Sequence, residues 1–524
     1  MSKPKHAISI ISLMIVVTAP LGFLVGRADV IFADGVRYIG QAERIAGGSW
    51  SDGFFRSIDH PLYPLLIAIV HGILGDRGAD SWQIAAQGAS VLSAVLLVIP
   101  LYLLIVELFD ASTARLGCIL FYLLPVNNHV FADALSESTF LLFWTWGLWS
   151  ALRYLRAGRF AWLPLTIGFA ALAYLTRPEG LLLPAAVLAT LLAAPLLPET
   201  KLNRRPYWSA IAFFLIGGMC TIGPYVLMKG GLGTKPAIAR ILGNAPNSPP
   251  SAVERKEPLD PEQTTTEGLR LAVKAVATSY RDAVGLPLWP LAIVGIWASA
   301  PFLDRRRVWL FLTIIEIASV AALTRLHTTG GYCTARHAMI PAMIFIAAAA
   351  RGVTWIVGQI HPPGSWRGVK GERLTLGPAI YAVIIAAFAL WCAPQNRARI
   401  NQGYGGFREA GAWIDHHVPQ NDKILDVTGW SLFYAERPGY TFTNLGEASL
   451  DPSLRWIVVR DAHLAGPWEY CKILRNLSEG LDPVASFPPR PTRGKARVLV
   501  FDRKQKPSRT ASAAAIMTEQ GSIR

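Results

Sequence analysis

The chain has 524 residues, of which 52% are hydrophobic and only 16% charged, with a mean hydropathy of +0.35. Soluble domains carry about 25% charged residues, so this composition excludes an ordinary soluble globular protein, and the continuous, helix-length apolar runs exclude a transmembrane β-barrel, whose strands alternate in hydropathy. The formal charge of +15 would suggest nucleic acid as the partner of a soluble protein; here the basic residues fall largely in short clusters between apolar runs, as the positive-inside rule expects, and no nucleic acid is implied.

At the N-terminus, Lys3 and Lys5 precede a long apolar run. Met1 to Arg27 resembles a signal peptide but has no evident small-residue cleavage site, so it reads as a retained first helix. A polar loop, 27–81, follows and carries Ala33-Asp34-Gly35-Val36-Arg37-Tyr38 and Asp59-His60-Pro61-Leu62-Tyr63-Pro64. The apolar stretch 61–75 within it is short, contains Pro64 and His71, and fits an interfacial or re-entrant helix. Further spans are expected near 82–106, 115–131, 139–155, 160–176, 179–197, 208–228, 286–303, 308–325, 338–357 and 376–394.

Charge bias sets the sides. With 61–75 excluded there are eleven spans, and a cytoplasmic N-terminus places Arg115, Arg153, Arg156, Arg159, Lys201, Arg204, Arg205, Arg305, Arg306, Arg307, Arg367, Lys370 and Arg373 inside. Counting 61–75 as a span would turn every later cluster outward. In the eleven-span arrangement the loop 27–81 faces outward. The turns holding Asp133 and Glu137, Arg177 and Glu179, and Arg336 and His337 face the same way. Tryptophans such as Trp82, Trp144, Trp146, Trp149 and Trp162 lie near span ends and read as an interfacial belt.

The expected organisation is a membrane module over 1–403, a small outward α/β domain over 404–503 and a disordered tail over 504–524. Loop 229–285 is Pro/Asn/Ser-rich at first. It then turns helical, with Leu269, Val273, Val276 and Tyr280 in periodic register. In the α/β part, Phe407 to His417 reads as a helix, and Ile424-Leu-Asp-Val, Trp456-Ile-Val-Val and Val498-Leu-Val-Phe read as strands. Cys118, Cys220 and Cys392 read as core residues. A Cys333–Cys471 bridge is one option in an oxidising compartment, and no Cys/His spacing suggests zinc.

On these residues the chain resembles the GT-C superfamily of integral-membrane glycosyltransferases, within it the dolichyl-phosphate-mannose protein mannosyltransferase and aminoarabinose-transferase group. Asp34 matches the acid that such enzymes carry in a large first outer loop. The Asp59–Pro64 segment resembles an acid–basic–Pro segment of aminoarabinose transferases, with His60 in place of Lys. Asp133 or Glu137 matches the acid of the second outer turn, and Thr176-Arg177-Pro178-Glu179-Gly180 looks like a turn of bacterial members. Gly35 stands where several members have a second acid.

The resemblance implies an inverting transfer of a hexose or pentose from a polyprenyl-phosphate donor to a protein, lipid A or another glycoconjugate. The reaction would occur at the outer face of a bacterial inner membrane. Asp34 is the expected base, with Glu137 and Asp133 as further site acids. Arg336, His337, His60 and Arg177 are the expected donor-phosphate ligands, because guanidinium binds phosphate bidentately. Tyr38, Asp59 and Glu179 would contact substrate. No metal ligands are assigned, and a divalent cofactor stays open.

Each residue also has a plain structural reading. Asp34 could cap a helix over Val36 to Gly47. Glu137 could be a first-turn acid favoured by the helix dipole. Arg336 could be an interfacial anchor, and Arg177 could pair with Glu179. Glu316, mid-span, has no role in this scheme and is the best argument for a rival class. The rivals are a secondary transporter or flippase of lipid-linked saccharides, a non-catalytic envelope assembly protein, and a polymerase or ligase using a polyprenyl-diphosphate glycan.

Overall fold

A computed structural model describes residues 3–196, 204–232, 265–299, 306–330, 332–360, 376–466, 469–490, 492, 494 and 496–504. The expected tail and the Pro-rich half of loop 229–285 lie largely outside the described residues, as do Lys201, Arg305, Arg367, Lys370 and Arg373.

The chain is a multi-pass helical membrane protein. Among the described residues, seven helical stretches are long and apolar enough to cross a membrane: Pro4–Val25, Ala79–Leu108, Pro178–Leu196, Tyr207–Lys229, Arg306–Thr329, Ala335–Ile360 and Ala379–Asn396. Several other expected spans are shorter or broken. The stretch 115–131 divides into α5 (Ala111–Leu123) and α6 (Pro125–Ala132). Pro125 lacks the N–H that would continue the helix, and it biases Leu124 to the extended conformation observed there. The stretch 61–75 forms α3, Leu62–Leu74, 13 residues long. At about 1.5 Å per residue that is about 20 Å, short of a ~30 Å hydrocarbon core.

Helices α1 (Lys3–Val25), α4 (Ala79–Leu108), α7 (Glu137–Ala157) and α8 (Trp162–Thr176) contribute to one core with α5, α6 and the later spans. Trp144 is fully buried in that core, so it does not belong to an interfacial belt. Trp146 stacks on Phe169, and Trp149 and Trp162 meet edge to face beside Arg153. Cys118 and Cys392 are buried as expected, whereas Cys220 is exposed on α10 (Arg204–Lys229). The Cys333–Cys471 bridge does not form: both thiols are free.

After α11 (Thr265–Val284) come α12 (Leu288–Ala298), α13 (Arg306–Gly330), α14 (Met339–Ile360) and α15 (Leu376–Asn396). The α12–α14 contact uses small residues to let two backbones touch. A Cβ on Gly295 would lie 1.7 Å from the Ala348 carbonyl oxygen, and one on Gly352 would lie 2.1 Å from that of Leu291.

The C-terminal part is a four-stranded sheet in the order β1-β2-β4-β3. β1 (Lys423–Asp426) runs parallel to β2 (Leu454–Arg460), while β4 (Val498–Asp502) is antiparallel to both β2 and β3 (Ala485–Phe487). The three expected strands and the helix α16 (Gly406–His417) are present. β3 is only three residues long, too short for a periodic signal. Alternation along β2 fills both faces: Trp456 and Val458 join Phe407, Ile414 and Trp430, while Ile457 and Val459 join Leu445 and Leu474. Val30, from the loop that carries Asp34, is fully buried in the first of these cores.

Gly295→Ala should lower the melting temperature in detergent by several degrees, in line with an overpacking cost of about 1–3 kcal/mol. Gly358→Ala, with nothing within 4 Å of its Cβ position, should change it little. Differential scanning fluorimetry of both variants checks this.

Candidate active site

The loop after α1 enters α2 (Ala33–Ala46), an amphipathic helix whose buried residues Gly35, Tyr38, Ile39, Ala42 and Ile45 recur at helical spacing. Tyr38, Ile39 and Ala42 pack with Tyr63, Ile67, Ala85 and Ala134. Gly35 explains how Asp34 reaches its neighbours. A Cβ there would lie 2.7 Å from the Ala134 Cβ and 2.9 Å from its carbonyl oxygen. A second acid at this position, as several enzymes of the resembling group carry, would push the turn 133–136 away from Asp34.

Asp34 occupies the second position of α2. It is not the N-cap: that residue is Phe32, and it makes no side-chain cap bond. Instead the carboxylate is gripped from two sides. Oδ1 accepts from Arg37 Nη1 at 2.8 Å, and Oδ2 lies 3.1 Å from Arg336 Nη1. Arg37 Nε also donates to Asp59 Oδ2 at 3.2 Å. Arg336 Nη1 is 3.8 Å from Glu137 Oε1, and that same oxygen is 2.7 Å from Arg177 Nη1. Arg177 Nη2 in turn donates to Glu179 Oε1 at 2.8 Å. The result is one chain of alternating charge, Asp59–Arg37–Asp34–Arg336–Glu137–Arg177–Glu179, assembled from α2, the segment before α3, the starts of α7 and α14, and the turn after α8.

Electrostatics follow from burial. The Glu137 and Arg177 side chains are 4% and 12% exposed. Burial opposes the Arg177 charge, but Glu137 and then Glu179 more than offset it, so its pKa is raised further. Arg37 behaves alike: burial works against the cation, and Asp59 and Asp34 outweigh it. Asp34 and Arg336 are the more open pair, with side chains 22% and 21% exposed. The guanidinium of Arg336 also stacks over Phe32 at 4.7 Å.

The other expected residues fall in different places. Asp133 lies outside the ion chain. Its Oδ1 accepts from the backbone N–H groups of Phe32 and Ala134, at 2.9 and 2.7 Å, and its Oδ2 accepts from Asn401 Nδ2 at 3.0 Å. Burial pushes its pKa up to about 6, against the pull of these donors. His337 Nδ1 accepts from the Thr334 backbone N–H at 3.3 Å, as part of a capping box, and lies 2.9 Å from the Thr334 hydroxyl, so it is engaged locally. His60 is buried edge-on to Tyr174, with Tyr225 beside it. The Tyr38 hydroxyl meets Ser136 Oγ at 3.2 Å, below the surface.

Sequence reasoning missed three contributors. Arg37 sits one helical turn after Asp34, a visible i,i+3 signal. Lys229, at the end of α10, donates to the carbonyl oxygens of Ser57 and Asp59, and Asn401 joins the Val30 carbonyl to Asp133. These two lie far away in sequence and gave no local signal.

Divalent cations take carboxylate oxygens, and in this structure Asp34 and Glu137 each lie against a guanidinium group. Among the described residues no three His, Cys, Asp or Glu side chains converge as metal ligands.

Arg177→Met should strand Glu137 as a buried charge and cost about 3–5 kcal/mol, read as a collapse of the melting temperature, with part of the loss recovered in Arg177→Met/Glu137→Gln. For Asp133 the folded pKa of about 6 exceeds the ordinary carboxylate value. Its contribution to stability is therefore complete below about pH 4 and lost as pH rises through about 6. Melting curves from pH 4 to 7 should show this fall in the wild type and a flatter profile in Asp133→Asn.

A family model described as dolichyl-phosphate-mannose-protein mannosyltransferase matches residues 59–221. That span includes Asp59, His60, Asp133, Glu137, Arg177 and Glu179. The apo oligosaccharyltransferase of Archaeoglobus fulgidus is 14% identical, over 86% of this chain and 69% of its own, with a TM-score of 0.57. The same enzyme in complex with zinc and sulfate is 12% identical, over 90% and 71%, with a TM-score of 0.57. ArnT from Cupriavidus metallidurans bound to undecaprenyl phosphate is 13% identical, over 96% of this chain and 98% of its own, with a TM-score of 0.56. No curated protein matches the chain in sequence. The resemblance to GT-C membrane glycosyltransferases thus holds, and at these identities the solved structures establish a shared fold.

Proposed function

We propose that this chain is an inverting glycosyltransferase that moves a hexose or pentose from a polyprenyl phosphate to an acceptor at the outer face of a bacterial inner membrane. The family-model match over 59–221 and the shared fold support the transferase role. The observation that carries the mechanism is Arg336, poised between Asp34 and Glu137 in the more open part of the ion chain.

The donor tail stays in the bilayer and its sugar reaches the site. A hydroxyl of the acceptor (a protein, lipid A or another glycoconjugate) loses its proton to Asp34 as its oxygen bonds to the anomeric carbon. The bond from that carbon to the phosphate oxygen breaks on the opposite face, and the electron pair leaves with the polyprenyl phosphate. Attack opposite the leaving group inverts the anomeric centre. Arg336 turns from Asp34 to the departing phosphate, balancing the new charge and freeing Oδ2 for the acceptor proton. Glu137, itself fixed by Arg177, faces Arg336 at this point, and Arg37 orients Asp34. Asp133 acts as a structural pin.

Asp34→Asn should lower transfer from a synthetic polyprenyl-phosphate sugar by about 10²–10⁴-fold while the protein stays folded, with a fall in melting temperature smaller than that of Arg177→Met. Arg336→Lys should lose most activity, because a point charge cannot reproduce the bidentate fork. Mass spectrometry of the product, together with glycoconjugate profiles of deletion cells, names sugar and acceptor. Full activity in Asp34→Asn would remove the base assignment, and an unaltered profile in the deletion would remove the transferase reading.

A further inference from the structure

Glu316 lies in the middle of α13, away from the ion chain, and neither of its carboxyl oxygens has a hydrogen-bond partner among the described residues. Both oxygens are buried. An acid so placed within an apolar helix bundle is costly unless something satisfies it. It lines a cavity of about 260 Å³ whose walls include Leu312, Ile317, Ile344, Phe345 and Ala348. A cavity of about 150 Å³ is enough to hold benzene, so this one accommodates a head group and several methylenes.

Two further buried polar groups lie around Phe345, whose ring lines this cavity. The Trp289 and Tyr280 rings are 4.9 and 6.3 Å from it, and Trp289 Nε1 and the Tyr280 hydroxyl lack hydrogen-bond partners among the described residues. The region therefore contains unmet polar capacity on apolar walls. The cavity is also reachable from the bilayer: its lining residues Ile296 and Ile317 are 44% and 64% exposed on apolar helices.

We propose that this cavity binds a membrane-dissolved amphiphile whose head is a hydrogen-bond donor, a hydroxyl or an amine, on an apolar body. The carboxyl of Glu316 selects the head. A protonated amine would pair with the carboxylate and balance its charge, and a hydroxyl would bond to the protonated acid, which carries none; each outcome ends without a stranded charge. An anionic head would meet an ionised Glu316 as a like charge and would find no countercharge at a protonated one. The cation on the cavity wall, Arg156, is already engaged by Glu107 at 2.7 Å. This selectivity sets the cavity apart from any site for a polyprenyl phosphate, and the inference does not depend on the transferase reading.

The test uses the full chain in nanodiscs with three diazirine-bearing probes of equal chain length: a primary amine, an alcohol and a phosphate monoester. Cross-linked peptides are mapped by mass spectrometry. The amine, the alcohol or both should concentrate on residues 296–299, 308–317 and 344–348, with little phosphate probe there. Glu316→Leu should reduce that labelling about tenfold or more, the scale of one charge-assisted hydrogen bond. Loss of amine labelling alone in Glu316→Gln marks a cationic head; retained alcohol labelling marks a hydroxyl. Thr313→Phe, an exposed position on the cavity wall, should block entry with the acid intact and serves if Glu316→Leu does not fold. Even labelling of all lipid-facing helices, equal labelling by the phosphate probe, or labelling insensitive to both Glu316→Leu and Thr313→Phe would overturn the proposal.

Discussion

The site depends on one constraint: buried charges of opposite sign must alternate. Taking a guanidinium or a carboxylate out of water costs several kcal/mol, and only close, well-aligned partners offset it. Arg177 between Glu137 and Glu179 meets that condition, and it fixes the start of α7 against the turn after α8. Arg336 extends the alternation to Asp34, and Arg37 carries it on to Asp59. The tightly buried Glu137–Arg177 pair forms a rigid base. The Asp34–Arg336 pair is more open, which is where the proposed mechanism puts the exchange with a substrate phosphate and hydroxyl.

A second level of support comes from the C-terminal layer. Val30 is fully buried against Phe407, Ile414 and Trp430. Trp430 Nε1 donates to the Ile31 carbonyl at 2.6 Å, and Asn401 bridges the Val30 carbonyl and Asp133. Arg408 pairs with Asp80, and Glu436 accepts from the Ala79 backbone at the start of α4. The segment leading into Asp34 is therefore held on one side by the helix bundle and on the other by the sheet. An N-terminal loop and a C-terminal unit separated by some 370 residues in the chain act as one support.

The ion chain and the Glu316 cavity are opposites in physical terms. In the former every acid meets a guanidinium, and the proposed chemistry lies in changing partners. In the latter an acid meets apolar walls. The contrast argues for two occupants of different charge, an anionic leaving group at one place and a donor-headed amphiphile at the other.

The sequence by itself determined the class. Apolar run length gives helices crossing a membrane, and short runs rich in β-branched and aromatic residues give three of the four strands. Asp34, Glu137, Arg177 and Arg336 were also legible as candidates, because charges flanking apolar runs are rare enough to stand out. The Arg177–Glu179 pair was readable because its members are two residues apart. Tertiary structure decided the rest. It broke 115–131 at Pro125, buried Trp144, exposed Cys220 and left Cys333 and Cys471 unbridged. It gave Asp133 to backbone donors and Asn401, and it joined Asp34 to Arg336 across some 300 residues. The reason is range. Hydropathy and turn chemistry act over a few residues and fix where a helix begins and which face is apolar. Which guanidinium meets which carboxylate depends on how helices pack, down to a missing Cβ at Gly35, and no local pattern carries that information.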